Sequence, residues 1–315
     1  MAQQTGRWDM PRILAAVAGS KRFDSPLAKY TSFRIGGPAD ALLHINDIST
    51  LQQVQAIAQL HDIPLFILGG GSNVLIRDGG IRGIVAVLRG TFRTYRVIEC
   101  AGSDTPASAF VHAGVGYPLS RLAMQLARAG WSGLEFAYGI PGTLGGAMVM
   151  NAGTYLGEVR HAMVAAQLLL EDGQECELPV DALGLRYRAS SYPRGAILLG
   201  GTIRVQRGEP EAITTVMQAS YKRRQQTQPL WLPNAGSIFK NPPGMAAARL
   251  IDRSGLKGTR IGGAMISPLH ANFIVNVEHA TAADVEALMA VARARVQEDH
   301  GMLLELEVRV VGEEG

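Results

Sequence analysis

Shortly after Ala39 the spacing of apolar residues passes from a period of two to the helical period of 3.6 and back again. Residues 41–45 read as a strand, Leu51, Val54, Ile57 and Ala58 recur at helical intervals, and Pro64 stops the helix. Ser49 and Gln52 are spaced as a capping box at its head. A short apolar strand over 65–68 runs into Gly69-Gly70-Gly71-Ser72-Asn73, and another follows around 84–88. The pattern predicts a small α/β layer with a glycine-rich loop. From residue 92 to 206, short strand-like stretches (93–98, 109–114, 165–170, 197–205) surround one clear helix over 118–129, which Gly130 closes. Asp172-Gly173 marks a hairpin, so this second sheet is expected to be antiparallel, not doubly wound.

Gly208-Glu209-Pro210 is the expected boundary, since a helix of about 15 residues starts there and the composition turns basic and glutamine-rich over 222–228. Beyond it the pattern predicts a helix over 245–254 closed by Gly255, a strand over 272–277, a helix opened by Thr281, and a last strand over 303–311. The expected fold class is therefore α+β, with one domain over 22–208, subdivided near 90, and an α/β domain over 209–315. At the N-terminus, Arg7, Arg12 and the apolar run 13–18 begin like an amphipathic helix and fall short of a signal-peptide core. No repeats, low-complexity segments or heptads are present.

Composition narrows the class without naming a function. With 47% hydrophobic and 18% charged residues, the chain is neither intrinsically disordered nor fibrous, and 315 residues can bury a sizeable core. Thirty basic against 27 acidic residues leave a charge of +3, too even a balance for a nucleic-acid polyanion to be the partner. The run Lys222-Arg223-Arg224 reads as a solvated helix face. No apolar stretch is long enough to span a membrane, and a cytosolic protein is expected. Cys100 and Cys176 form no Cys-x-x-Cys pair and are expected to be buried free thiols, with no metal site. The outlier is glycine, 37 residues gathered into a few stretches, which suggests backbone brought close to a ligand.

Gly69-Gly70-Gly71-Ser72-Asn73 ends a strand with three residues lacking Cβ. Consecutive backbone N–H groups there can converge on an anion such as a pyrophosphate, with Ser72 and Asn73 adding side-chain hydrogen bonds, and an ordinary tight loop would look the same. It is not a Rossmann fingerprint, because Val74 stands where the last glycine belongs, and no Gly-Lys-Ser/Thr makes it a P-loop. Gly139-Ile140-Pro141-Gly142-Thr143-Leu144-Gly145-Gly146-Ala147 and Asn151-Ala152-Gly153-Thr154-Tyr155 are rich in glycine and nearly free of charge. Pro141 suits the first turn of a helix and residues 151–153 its end, and either ligand contact or close helix packing would explain the glycines. Arg188, Ser237 and Glu307 are unremarkable singly: a surface cation, a turn hydroxyl, and one of two glutamates with Glu305 on one face of the final strand. Gly-x-Ser-x-Gly is absent and no histidine is placed to activate Ser237, which disfavours a serine hydrolase.

In order and combination these segments are specific. Thr31-Ser32-Phe33-Arg34-Ile35-Gly36-Gly37-Pro38-Ala39-Asp40, the loops at 69–75 and 139–146, Tyr187-Arg188, Gln228-Pro229, Asn234-Ala235-Gly236-Ser237-Ile238-Phe239-Lys240-Asn241-Pro242 and the segment 304–312 resemble the UDP-N-acetylenolpyruvoylglucosamine reductase family, from about residue 22 to 312. The resemblance implies a bacterial cytosolic flavoenzyme with an FAD-binding domain of the vanillyl-alcohol-oxidase type and a C-terminal α/β substrate domain. It places FAD pyrophosphate on Gly69, Gly70, Gly71, Ser72 and Asn73, and a second flavin segment at Thr143, Gly146 and Gly153. It makes Ser237 the proton donor, Arg188 and Glu307 the residues at the substrate carboxylate, and Tyr155, Arg224, Lys240 and Asn241 those that hold the nucleotide-sugar or shape its pocket. Only 49 positions separate Arg188 from Ser237, which looks like the shorter variant without the inserted tyrosine loop, so the means of closing the site stays open.

The implied reaction is reduction of UDP-N-acetylglucosamine enolpyruvate by NADPH through FAD. Because only one pyrophosphate loop is visible, NADPH and substrate are expected to use one pocket in turn, with ping-pong kinetics, on a monomer. Two rivals are weighed: a flavin oxidase of the same cofactor fold, which would want a base at the substrate carbon, and a catalytically silent nucleotide-sugar-binding protein. Ser237 and Glu307 speak against the first, and Arg188, Ser237 and Glu307 together against the second.

Overall fold

The structure, a computed structural model, describes residues 8–100 and 107–315. Arg7, assigned to the N-terminal helix, lies outside the described residues; Asp9 caps a single turn of helix, Met10–Ile13. So far as described, the chain forms two compact units: residues up to 23, 40–70 and 83–221 make the first, and 24–39, 71–82 and 222–315 the second. The division at 221/222 falls inside one helix, Pro210–Thr227.

In the first unit a four-stranded sheet has the order Ser20–Pro26, Pro38–Ile45, Ile81–Leu88, Leu65–Ile67. Its last pair is parallel, Leu65 facing Ile84. The helix Ile48–Leu60 buries Leu51, Val54 and Ala58 in the same core as Ile84 and Ala86. Its cap is not the expected Ser49 box. Asp47 accepts the Thr50 N–H at 2.8 Å and the Ser49 hydroxyl at 2.7 Å, because a carboxylate one residue before the helix outcompetes a hydroxyl already inside it. The same contacts, led by the Thr50 N–H, hold the Asp47 carboxyl below its usual range.

The second sheet of this unit is antiparallel throughout, as its short strands imply. Its order is Glu175–Pro179, Met163–Leu169, Ile197–Arg207, Ser108–Gly114, Tyr95–Glu99, with Trp131–Ser132 on the end of Ile197–Arg207. Gly173, at φ +81°, turns the hairpin between the first two strands. The helix Leu119–Arg128 ends at Gly130, φ +75°, with Leu119, Leu122, Ala123, Leu126 and Ala127 buried.

The second unit has its own core, built around Leu250, Ile251, Ile266, Ile274, Val285 and Leu288. A three-stranded antiparallel sheet (Arg260–Ile261, Ala264–Ile266, Ile274–Asn276) accompanies the helices Ala247–Arg253 and Ala282–His300. Thr281 caps the longer helix through a complete box with Asp284, whose carboxyl lies below its ordinary value chiefly because it accepts the Thr281 N–H. The expected last strand is shorter than its apolar alternation implied. Only Arg309–Val311 is regular, paired in parallel with Val74–Ile76, a strand not read from the sequence. Residues 304–308 instead run beside 238–240, where Glu307 N–H (2.8 Å) and Val308 N–H (3.3 Å) share the Ile238 carbonyl. Two residues opposite one is the geometry of a bulge and breaks the ladder.

Both cysteines are free, and both are partly exposed where buried thiols were expected. Among the described residues there is no helix long and apolar enough to cross a membrane, and no group of three or more metal-ligating side chains.

Candidate active site

In the first unit the strand Leu65–Ile67 delivers the chain into its glycine loop. Leu68 N–H still reaches the Ala86 carbonyl at 2.9 Å, but the N–H groups of Gly69 and Gly70 have no acceptor among the described residues. A second glycine-rich element packs against them. A Cβ on Gly69 would lie 2.9 Å from Thr143 Oγ1, and one on Gly70 only 2.5 Å from the Cα of Gly142. That approach is possible only because both residues lack a side chain.

Thr143 occupies the cap position of the helix Leu144–Met150 and is buried, without donating or accepting a cap bond through its hydroxyl. Pro141 precedes the helix; the sequence had placed it in the first turn. Leu144 N–H donates to Tyr117 O and Gly145 N–H to Val115 O, both at 2.9 Å, which leaves Gly146 N–H without an acceptor among the described residues. Its nitrogen lies 4.0 Å from the Cβ position of Gly69. Gly146 is exposed, and a Cβ there would meet nothing nearer than Thr143 Oγ1 at 3.9 Å. Unpaired N–H groups from a loop and from the first turn of a helix, beside an open glycine surface, fit a pyrophosphate, and FAD is a group these residues could hold. Gly153 has a different reason to be glycine: a Cβ would lie 2.5 Å from the Glu158 side chain.

A cleft of about 610 Å³ opens beside this segment, walled by Ser120, Arg121, Gln125, Tyr138 and Pro141. Its Pro141 wall belongs to the glycine-rich segment singled out in the sequence, whereas Ser120, Arg121 and Gln125 carried no signal there.

Arg188 sits in a tight turn closed by mutual Arg186 and Ala189 backbone bonds at 2.9 and 3.1 Å. Its φ of +51° is a left-handed conformation that costs a non-glycine residue roughly 1–2 kcal/mol. The guanidinium donates to the carbonyls of Gly153 (3.2 Å) and Asn151 (3.5 Å), tying it to the glycine-rich segment. Tyr155, in the same unit, is 64% exposed.

In the second unit Ser237 lies on an irregular segment that is held tightly on either side of it. Asn234 Oδ1 accepts Gly236 N–H at 2.8 Å, while Ile238, Phe239 and Lys240 N–H groups go to Asn272 O (2.9 Å), Asn272 Oδ1 (2.9 Å) and Glu305 O (2.8 Å). Ser237 is the exception: neither its N–H nor its hydroxyl is hydrogen-bonded among the described residues. Glu307 is half-buried, its N–H on the Ile238 carbonyl and its own carbonyl accepting from Asn73 Nδ2 at 3.0 Å. Asn73, expected to bond an anion, thus spends its amide donor on the backbone that carries Glu307. Ser32 fixes the neighbouring turns, its N–H on Gly71 O at 3.0 Å and its hydroxyl on Asn234 O at 2.6 Å.

Three further candidates in this unit have structural partners. Arg224 Nε donates to Gln228 Oε1 at 3.1 Å, Lys240 pairs with Glu305 at 3.4 Å, and Asn241 Oδ1 accepts the N–H of Ala247, the first residue of its helix. His270 stacks edge-on against Phe273, and burial lowers its pKa. The residue the sequence reading missed is Asn272, which at a strand start carries no motif of its own.

Residues 39–178 match the family described as FAD binding domain, and residues 228–311 match the C-terminal domain of UDP-N-acetylenolpyruvoylglucosamine reductase. A UDP-N-acetylenolpyruvoylglucosamine reductase of Anaeromyxobacter dehalogenans is 43% identical over 96% of this chain and 88% of its own length. A second, from Symbiobacterium thermophilum, is 41% identical over 93% of each. The crystal structure of UDP-N-acetylenolpyruvylglucosamine reductase from Thermus caldophilus superposes with a TM-score of 0.78 at 37% identity, covering 94% of this chain and 99% of that one. With both component families in sequence order, and that identity sustained across nearly the whole of each relative, the chain belongs to the UDP-N-acetylenolpyruvoylglucosamine reductase family.

Proposed function

We propose that this protein reduces the enolpyruvyl ether of UDP-N-acetylglucosamine to UDP-N-acetylmuramate, a step of peptidoglycan precursor synthesis, using NADPH. One observation carries the reading: a chain that matches named reductases over nearly its whole length keeps an unpaired N–H cradle at Gly69, Gly70 and Gly146. FAD held at that cradle would supply the hydride chemistry that links NADPH to the methylene carbon of the enolpyruvyl group.

The remaining chemistry belongs to side chains. Charge develops on the carbon next to the one that receives hydride and on its carboxylate. We assign Arg188 to that carboxylate, where a guanidinium offers two parallel donors and a full charge. Its left-handed backbone supports the assignment, because strain at a non-glycine residue persists where a side chain must be aimed. Glu307 shares a proton with the same group. Ser237 Oγ–H protonates the carbon, acting as a general acid, and the serine regains its proton from water. A hydroxyl bonded to nothing among the described residues is free to meet a substrate. Gly71, Ser72, Asn73, Thr143 and Gly153 complete the flavin contacts in this reading, and Tyr155, Arg224, Lys240 and Asn241 the contacts to the nucleotide-sugar.

The domains divide near residue 208, the protein works as a cytoplasmic monomer, and NADPH and substrate bind in turn. An anaerobic visible spectrum tests the whole reading. The purified protein should be yellow, bleach with NADPH, and recover its colour on addition of UDP-N-acetylglucosamine enolpyruvate. A colourless protein that FAD cannot reconstitute would overturn it.

A further inference from the structure

We propose that Asn272 is a positioning residue for the proton transfer, holding the backbone on which Ser237 is presented; the inference rests on the reading of Ser237 as proton donor. Asn272 is 3% exposed and lies two residues before the strand Ile274–Asn276. Its carboxamide meets Phe239 with both ends: Oδ1 accepts the Phe239 N–H at 2.9 Å and Nδ2 donates to the Phe239 carbonyl at 2.8 Å. Its own carbonyl accepts the Ile238 N–H at 2.9 Å. One residue therefore makes three bonds to the two positions that follow Ser237.

The geometry is that of a missing strand partner. A carboxamide carries a donor and an acceptor side by side, so it can pair with the N–H and C=O of one residue as a neighbouring strand would. The side chains of Ile238 and Phe239, each 1% exposed, anchor the same segment in the core. Asn234 fixes the other side of Ser237, accepting Gly236 N–H and donating to the Leu232 carbonyl at 2.7 Å. The Ile238 carbonyl in turn receives the N–H groups of Glu307 and Val308, so the frame that locates Ser237 also locates Glu307. The serine hydroxyl itself has no partner among the described residues, and its position is inherited from this backbone. An error of about 1 Å in such a group can cost on the order of 10²-fold in rate, which gives a remote clamp its leverage.

The test is single-turnover reoxidation of the NADPH-reduced holoenzyme by UDP-N-acetylglucosamine enolpyruvate. Asn272→Ala should slow reoxidation by about 10- to 100-fold while FAD content and the rate of reduction by NADPH stay within about twofold of wild type. In apoprotein, deuterium uptake at residues 238–239 should rise. On a Ser237→Ala background the same substitution should add less than about twofold, because a residue that acts through Ser237 has nothing left to position. An equal slowing on both backgrounds would overturn the proposal, as would unchanged reoxidation in the single variant. If Ser237→Ala alone reoxidises at the wild-type rate, the proton-donor reading itself is gone and the inference goes with it.

Asn272→Asp covers the case in which the alanine variant does not fold. A neutral carboxyl donates to the Phe239 carbonyl as the amide did, whereas a carboxylate repels it, and burial raises the carboxyl pKa. Relative to wild type, reoxidation in Asn272→Asp should therefore fall between about pH 6 and about pH 8.5. A profile parallel to that of wild type would overturn the proposal.

Discussion

Two glycine-bearing segments of this protein use their backbones in opposite ways. In the first unit, Gly69, Gly70 and Gly146 keep N–H groups with no internal acceptor, and the residues around them have no side chain in the way. In the second, the N–H groups of Gly236, Ile238, Phe239 and Lys240 are all taken, two of them by asparagine side chains, and a serine hydroxyl is left over. An unpaired amide donor is useful to an anion that binds and stays. A backbone bonded on both sides of a residue is useful where one small group must be held at one place for a proton to move. In the function proposed above, the difference separates cofactor retention from catalysis, and it can be broken at either end.

The largest effect belongs to Ser237. Replacing it with alanine removes a hydroxyl that has no hydrogen bond among the described residues and should slow reoxidation of reduced enzyme by roughly 10²- to 10⁴-fold. Flavin content and reduction by NADPH should be near normal, because the amide donors of the first unit are untouched. Loss of FAD from Ser237→Ala would erase the distinction between the two segments.

A smaller effect sharpens the comparison within the first unit. Gly70→Ala drives a methyl to 2.5 Å from the Gly142 Cα, backbone that cannot yield cheaply, and should destabilise the apoprotein by about 1–3 kcal/mol. Gly146→Ala meets nothing nearer than 3.9 Å, and alanine in a helix gains up to about 1 kcal/mol over glycine, so apoprotein stability should hold or rise. Yet its methyl occupies the open surface beside a free N–H, and FAD should bind about tenfold more weakly, a difference of about 1.4 kcal/mol. Melting temperature and FAD titration together separate the two outcomes. If Gly146→Ala binds FAD normally, that surface is not part of the flavin site.

How far the sequence revealed this contrast depends on what each element rests on. The glycine loops, the antiparallel sheet with its Asp172-Gly173 turn and the Thr281-capped helix were legible because the signals are local. The strand Val74–Ile76 was not, since three residues after a loop show no period and its partner, Arg309–Val311, lies at the far end of the chain. The capping pair at Ser49 and Gln52 had the right spacing and lost to Asp47, a competitor two residues earlier. Glu305 and Glu307 do alternate with apolar positions, but the shared Ile238 carbonyl turns the strand they implied into a bulge. The roles of Asn73 and Asn272 depend on residues 307 and 239, and an amide side chain gives no hint in sequence of which backbone it will complete.

The smallest expected effect concerns acid, and it bears on the second unit through His270. Burial is the main cause of its lowered pKa, with the Lys257 charge adding to it and a backbone hydrogen bond opposing. The unfolded chain therefore binds this proton more readily than the folded one. Stability should fall as pH drops below the ordinary histidine value of about 6.5, and keep falling until the folded histidine also protonates. His44 in the first unit is lowered too, by burial and then by Arg89, Arg22 and Arg93, so wild type should show contributions from both units. The depressed carboxyls of Asp47 and Asp284 act in a different window, losing their contribution only as pH falls through and below the usual range near 3.8. Urea midpoints measured from neutral to mildly acidic pH in wild type, His270→Gln and His44→Gln would separate the terms. His270→Gln should flatten part of the slope. If it leaves the slope unchanged, the imidazole is no better at avoiding its proton than one in water, and the turn from Ser267 to Asn272 is looser than the close bonding around Ser237 requires.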